Sequence, residues 1–359
     1  MDQVKAFVKK YFNFIFMAAL IIITFSIIAG QVKGQDFLKT LGHTDGRFIA
    51  AALGCIGIYW LLEAWMILKL LRRDHRDERF SFALVITLIG QYYNLVTPGA
   101  SGGQPLQLLE MNRRGYAMGT GTAVLVQKYA LYQISVTLLA LVAVAIHFQS
   151  IAASLLVTRT LIGVGLFVNV LGVVLVIIMA FSPKWAEKIM TAAVNFLAVI
   201  HFIKDKEKYY QKIARFVDEY TVAIDDIRKH WKETGQLLMV SFVQIIVYYS
   251  VNYWVYKALG LHGTSAFTII SLHAVLYVAM AFVPTPGASG GAEAAFALIF
   301  GPVYGTVGAS VGLILWRLIT FYFIIAFGGL FLSVRSLWLG NRDLKKKRTR
   351  YVVGKETDR

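Results

Sequence analysis

Glu63, Lys128, Glu293 and Arg317 each stand inside an apolar stretch long enough to bury them. A charge at membrane depth is costly, so such residues face a cavity, a site or an ion partner rather than lipid. Arg317 lies about eleven residues into the last apolar run, roughly 16 Å from its start, which is midplane depth. Lys128 is equally deep in the run after residue 117. Both cations accompany a repeated heptapeptide: Thr97-Pro98-Gly99-Ala100-Ser101-Gly102-Gly103 recurs as Thr285-Pro286-Gly287-Ala288-Ser289-Gly290-Gly291. The 188-residue offset between the copies carries Lys128 to 316, one short of Arg317. A cation in each half, beside a glycine-rich break, is chemistry for holding an anion. No paired carboxylates or histidine cluster for acid–base or metal catalysis stands near either copy.

The heptapeptide explains how the backbone reaches such a site. Pro98 and Pro286 end an entering helix, and Pro284 stiffens the second approach. Gly99, Gly102, Gly103 and Gly287, Gly290, Gly291 permit left-handed torsions and close backbone approach. Ser101 and Ser289 are expected to cap the returning helices, whose N-termini carry partial positive charge. Two such N-termini facing each other suit a phosphate or carboxylate. The expected binding set is therefore Lys128, Arg317, Glu293, Ser101, Gly102, Gly103, Ser289, Gly290 and Gly291. The plainer alternative is a pair of structural kinks, with Glu293 and Arg317 locked as an ion pair. Glu63 reads as a proton site or as the partner of a basic neighbour. Glu110, Arg113 and Arg114 mark a cytoplasmic mouth or a solvated face. Tyr92, Tyr93, Tyr129 and Tyr132 surround the first break, while His201 and His273, with no ligand-spaced partners, read as satisfied structural residues. No metal or cofactor is expected.

Composition fixes the medium. Of 359 residues, 57% are hydrophobic and 16% charged, with mean hydropathy +0.62. Soluble chains carry roughly 25% charge, so this is an integral membrane protein. Four of only six prolines (Pro98, Pro105, Pro284, Pro286) fall in or beside the heptapeptides, which marks deliberate breaks. Cys55 is alone, which excludes disulfides and cysteine metal sites within the chain. The net charge of +16 collects between and after apolar runs, the positive-inside pattern, with anionic lipid rather than nucleic acid as partner.

About 20 apolar residues cross a bilayer core. Spans are predicted at about 11–30, 48–71, 117–147, 160–182, 236–259 and 306–336, with short segments at about 82–96 and 266–283 feeding the breaks. The first is expected to be retained rather than cleaved. Lys and Arg in the 72–79 loop, in 183–235 and in the tail place both termini in the cytoplasm. Lys33, Lys39 and Arg47, in 31–47, are the discordant cations. On this topology the first hairpin enters from the cytoplasm and the second from outside, with both tips at the midplane. The predicted fold is an all-α polytopic bundle of two inverted-topology repeats, each with a re-entrant Pro/Gly-broken hairpin. Its parts are 1–47, a span and external linker; 48–182, repeat 1; 183–235, interfacial and cytoplasmic amphipathic helices; 236–338, repeat 2; and 339–359, a basic tail.

These motifs resemble the lysylphosphatidylglycerol synthase transmembrane-region family, the flippase-like membrane part of the multiple peptide resistance factor. The resemblance rests on Pro98-Gly99 to Gly103, on Pro284-Thr285-Pro286-Gly287 to Gly291 with Glu293, and on Arg317 followed by Thr320 and Tyr322. It spans about 10–338. Family members carry Glu-Arg after the first hairpin where this chain has Gln127-Lys128, keeping the cation and losing the acid. The resemblance implies movement of a polar, anionic, aminoacylated or glycosylated lipid between leaflets. Full-length relatives add an aminoacyl-transferase domain. The chain stops at 359, soon after its last span, so lysyl transfer by this polypeptide is not expected. The alternatives are a membrane-embedded transferase on a lipid-linked substrate, or an accessory subunit that recruits a synthase or glycosyltransferase. Expected partners are membrane lipids, such an enzyme, and a second copy in a homodimer.

Overall fold

Length and polarity sort the helices into two kinds. Among the described residues, five are long and apolar enough to cross a bilayer. They are α1 (Gly46–Arg72), α4 (Met118–Ile146), α6 (Leu156–Phe181), α8 (Trp231–Tyr249) continued by α9 (Val251–Ala258), and α12 (Thr306–Arg317) continued to Arg335. Four shorter ones form broken hairpins: α2 (Phe80–Val96) with α3 (Gly103–Arg113), and α10 (Ala266–Met280) with α11 (Gly291–Tyr304). A short α5 (Phe148–Ala152) follows α4, and an amphipathic α7 (Lys206–Lys229) precedes α8. The computed structural model describes residues 39–73, 77–152, 156–182, 206–281, 283–335 and 337, together with 185, 187–188, 191–192 and 194–195. Every regular element among them is helical. The predicted span at 11–30, the basic tail and most of the interfacial segment 185–203 lie outside the described residues.

Helix ends are fixed by few residues. Asp45 caps α1 by accepting from the Arg47 amide at 2.9 Å. The Arg47 guanidinium is the largest influence holding the Asp45 carboxyl below its usual range. The N-terminus of α4 has no capping side chain of its own; Glu219 of α7 accepts from Gly119 N at 2.9 Å instead. Two spans differ from their predicted form. The 236–259 span is interrupted at Ser250, whose hydroxyl donates back to Val247 O at 2.7 Å. The last helix carries a π-turn at Leu318–Tyr322, directly after Arg317, which widens the helix where a hairpin docks.

One large core joins α1, α4, α8, α9, α10, α11 and α12, with Phe296, Phe300, Tyr304 and Trp316 at its centre. Phe296 stacks on Trp316 with centroids 5.3 Å apart. The outer rim is apolar: Phe167, Leu171 and Leu175 of α6 are exposed, as a lipid-facing helix requires. A second cluster, around Ala64, Ile67, Leu71 and Met111, joins α1 to α2, α3 and α4. The first broken hairpin is thus clamped to α1 and α4, the second to α12.

Candidate functional site

The two heptapeptides take the same path through the turn and then diverge. Ser101 (φ -80°, ψ -18°) and Gly102 (φ -85°, ψ -22°) are helical, whereas Ser289 (φ -61°, ψ 141°) is extended and Gly290 (φ 89°, ψ -56°) has a positive φ. Each forms a one-turn 3-10 helix, Pro98–Ala100 and Pro286–Ala288, and the two turns touch each other. Gly99 has φ 58° and ψ 26°, Gly287 φ 58° and ψ 23°. Ala100 and Ala288 follow at φ 54° and 53°. Left-handed alanine costs about 1–2 kcal/mol. Its presence at matching positions of both tips marks them as strained in the same way, a feature that glycine counting in the sequence does not show.

Ser101 and Ser289 do not cap the returning helices as expected. Each hydroxyl donates at 2.9 Å to the carbonyl of the turn proline, Pro98 or Pro286, because the 3-10 turn aims it backwards. The first returning helix is capped from the entering one: Thr97 Oγ1 accepts from Gly102 N at 2.8 Å and Asn94 Oδ1 from Gly103 N at 3.1 Å. A Cβ on Gly103 would collide with Asn94, so glycine is needed there for close approach. The second is capped from within, where Glu293 Oε2 accepts from Gly290 N at 2.6 Å.

Glu293 has a second partner. Its Oε1 lies 2.8 Å from Arg317 Nε, with both side chains buried, an ionic contact without a directed hydrogen bond. Arg317 Nη1 donates to Gly287 O at 2.9 Å, and the guanidinium lies over Trp316 and Phe321. Arg317 therefore ties the second turn to the last helix. Its Nη2 has no acceptor among the described residues although it is buried. An unmet donor on a buried cation is a strong demand for an anionic oxygen.

Lys128 pairs elsewhere. Its Nζ donates to Glu63 Oε1 at 2.6 Å, and Gln91 of α2 donates to Oε2 at 2.7 Å. Gln244 of α8 approaches the same oxygen at 3.5 Å. The acid missing beside Lys128 in the sequence is thus supplied by α1, sixty-five residues away. The position matching Glu293 in the first half is Pro105. Gln127 points away, accepting from Arg73 at 3.0 Å and donating to Thr234 at 3.1 Å. The two charged sites approach through aromatics: Tyr59, which accepts from Gln91, has its ring 5.1 Å from that of Tyr248, within electrostatic reach of Arg317.

The remaining candidates fall outside this centre. Glu110 at the end of α3 pairs with Arg335 and, at 3.6 Å, with Arg113. Arg114 meets Glu78 at 3.4 Å, and Arg73 meets Glu233 at 3.0 Å. These contacts tie the helix ends together on one side of the bundle. Tyr92 packs edge-on against Tyr93 and beneath Gly328 and Gly329, while Tyr132 donates to Tyr277 at 2.7 Å. His273 corrects an expectation: it is buried, yet neither ring nitrogen has a hydrogen-bond partner among the described residues. It is held by ring stacking on Tyr249, 4.6 Å away, a contact invisible to a search for polar partners. His201 lies outside the described residues.

Helices of this length and polarity define an all-α multi-pass membrane protein. Residues 13–328 match the family model described as the lysylphosphatidylglycerol synthase TM region, and the chain belongs to that family. It is also similar to a protein named UPF0104 membrane protein from Archaeoglobus fulgidus. The two are 27% identical over 293 residues, covering 76% of this chain and 81% of that one.

Proposed function

We propose that this protein is a lipid translocator of the cytoplasmic membrane, with both termini in the cytoplasm. It moves a lipid with a phosphate-bearing, anionic headgroup between leaflets through a midplane site at the two turns. The two hairpins belong to inverted-topology repeats that expose this site alternately. The reading is carried by one observation: Arg317 is buried against the second turn with Nη2 lacking an acceptor, while that turn touches its copy. Non-helical backbone at this depth requires protein cover or a wet cavity. Pro98 to Ser101 are exposed, which suits a headgroup path open to the side. Membership in a lipid-related membrane family is consistent with the assignment.

In this mechanism the headgroup phosphate accepts from Arg317 Nη2 and from Lys128, while the first turn, open at Gly99, supplies uncrowded backbone. Glu293 keeps Arg317 oriented and the second returning helix capped. The test is leaflet exchange of fluorescent phospholipids and glycolipids in liposomes holding the purified protein. Exchange faster than in empty vesicles, abolished by Arg317→Ala and Glu293→Gln in folded protein, is expected. Exchange no faster than in empty vesicles for every lipid overturns the reading.

A further inference from the structure

We infer that Glu63 is a proton-binding site that couples one proton to each anionic headgroup carried; this rests on the translocator reading above. The observation is the arrangement of donors on a carboxylate that is only 3% exposed. Among the described residues Lys128 is the one cation that contacts it, and Gln91 and Gln244 add neutral amides. Lys128 has no other partner among the described residues, and its side chain keeps 14% of its exposure, so it stands at the open edge of the pair. The second pair is different: Arg317 is also bound to Gly287 O, so it can meet a phosphate without leaving Glu293.

Charge balance then sets the stoichiometry. With Lys128 on Glu63 the first site is neutral. A singly charged phosphate drawn to Lys128 makes it net negative, in surroundings that tolerate no unpaired charge. One proton taken from water onto the Glu63 carboxylate restores neutrality, while Lys128 remains an ammonium ion and pairs with the phosphate. On release the phosphate leaves Lys128, the proton leaves Glu63 and the ion pair re-forms. Headgroup and proton travel together, and the cycle moves no net charge.

The surroundings support this assignment. On its own helix Glu63 is faced by Tyr59, whose hydroxyl is engaged by Gln91. From α4 it is faced by Lys128, and from α8 by Gln244, with Tyr248 beyond Tyr59. From α2 only Gln91 reaches it among the contacts shown. The titratable groups of α9 point elsewhere: Tyr256 donates to His262 O at 2.6 Å and Lys257 meets His262 Nδ1 at 3.1 Å. Tyr253 packs on Trp254, and in the π-turn Tyr322 packs on Phe321. Gln91 lies on α2, six residues before Thr97, and so ties the carboxylate to the helix that leads into the first turn. A proton on Oε1, the oxygen that Lys128 vacates, leaves Oε2 an acceptor for Gln91, so the amide contact survives protonation.

The experiment uses the full chain in liposomes with a fluorescent, singly charged phospholipid, under a pH gradient or a potassium-diffusion potential. A wild-type protein that gathers the lipid in the leaflet facing the alkaline side, with no response to potential, bears out the inference. Glu63→Gln is expected to lose the response to the pH gradient. If that variant does not fold, proton uptake during exchange by the wild type, read with an entrapped pH indicator, decides. About one proton per lipid is expected. Exchange that ignores the pH gradient, or follows potential alone, overturns the coupling and leaves the translocator reading intact. No exchange in any condition overturns both.

Discussion

The turn at Pro98–Ala100 is held by neutral side chains of its own hairpin, Thr97 and Asn94, whereas the turn at Pro286–Ala288 is gripped from outside. There the Arg317 guanidinium binds Gly287 O, and the Phe321 ring lies where a Cβ on Gly287 would go. Nothing lies within 4 Å of the corresponding Cβ position on Gly99. The identical heptapeptides share their torsions through the 3-10 turn and part at the Ser-Gly that follows, so the turn is a property of the sequence and the exit from it is not. How firmly each turn is fixed is a property of what surrounds it. The second half binds its cation to its own hairpin; the first half keeps its cation on a remote acid and leaves its turn exposed. A fixed jaw and a free one is the arrangement this asymmetry describes.

The sharpest way to break the comparison is to remove each cation. Arg317→Ala strands a buried Glu293 carboxylate and frees Gly287 O, and should cost about 3–5 kcal/mol in thermal or denaturant unfolding in detergent. Lys128→Ala leaves Glu63 with its amide donors and should cost less, about 1–3 kcal/mol. Equal losses would remove the distinction between the two pairs. Glycine replacement comes next. Gly287→Ala meets both a left-handed φ and the Phe321 ring, at about 1–2 kcal/mol for the first and 1–3 kcal/mol for the second. Gly99→Ala meets only the left-handed φ, about 1–2 kcal/mol, and a loss as large as that of Gly287→Ala would mean the first turn is equally gripped.

Smaller effects sharpen the account of capping. Thr97→Ala removes the acceptor for Gly102 N and should cost about 1 kcal/mol. Ser101→Ala and Ser289→Ala remove only a bond to a turn carbonyl and should stay within about 0.5 kcal/mol, as surface changes do. Melting temperatures in one detergent order all of these variants. A larger loss for Ser101→Ala than for Thr97→Ala would restore the serine caps expected from sequence.

The sequence shows the breaks, the spans and the buried charges because proline, glycine and runs of about 20 apolar residues act locally. The contact of the turns and the pairing of Arg317 with Glu293 follow from features visible there too. What was not legible depends on packing across the bundle. Glu63 and Lys128 meet only because α1 lies against α4, and no spacing rule links residues so far apart. The serine caps failed because in the first hairpin Thr97 and Asn94 reach across the turn first, and in the second Glu293 takes the Gly290 amide from within the returning helix. The Ser250 break and the π-turn after Arg317 carry no proline, so composition gives no sign of them.

The central claim is that a headgroup passes the exposed first turn. It is tested most directly by leaflet exchange with a single thiol at that turn, Ser101→Cys in a chain whose buried Cys55 is replaced by alanine. A bulky charged thiol reagent should stop exchange by this protein and leave the thiol-free parent unaffected. Exchange that continues at the same rate with the turn fully labelled would contradict the account.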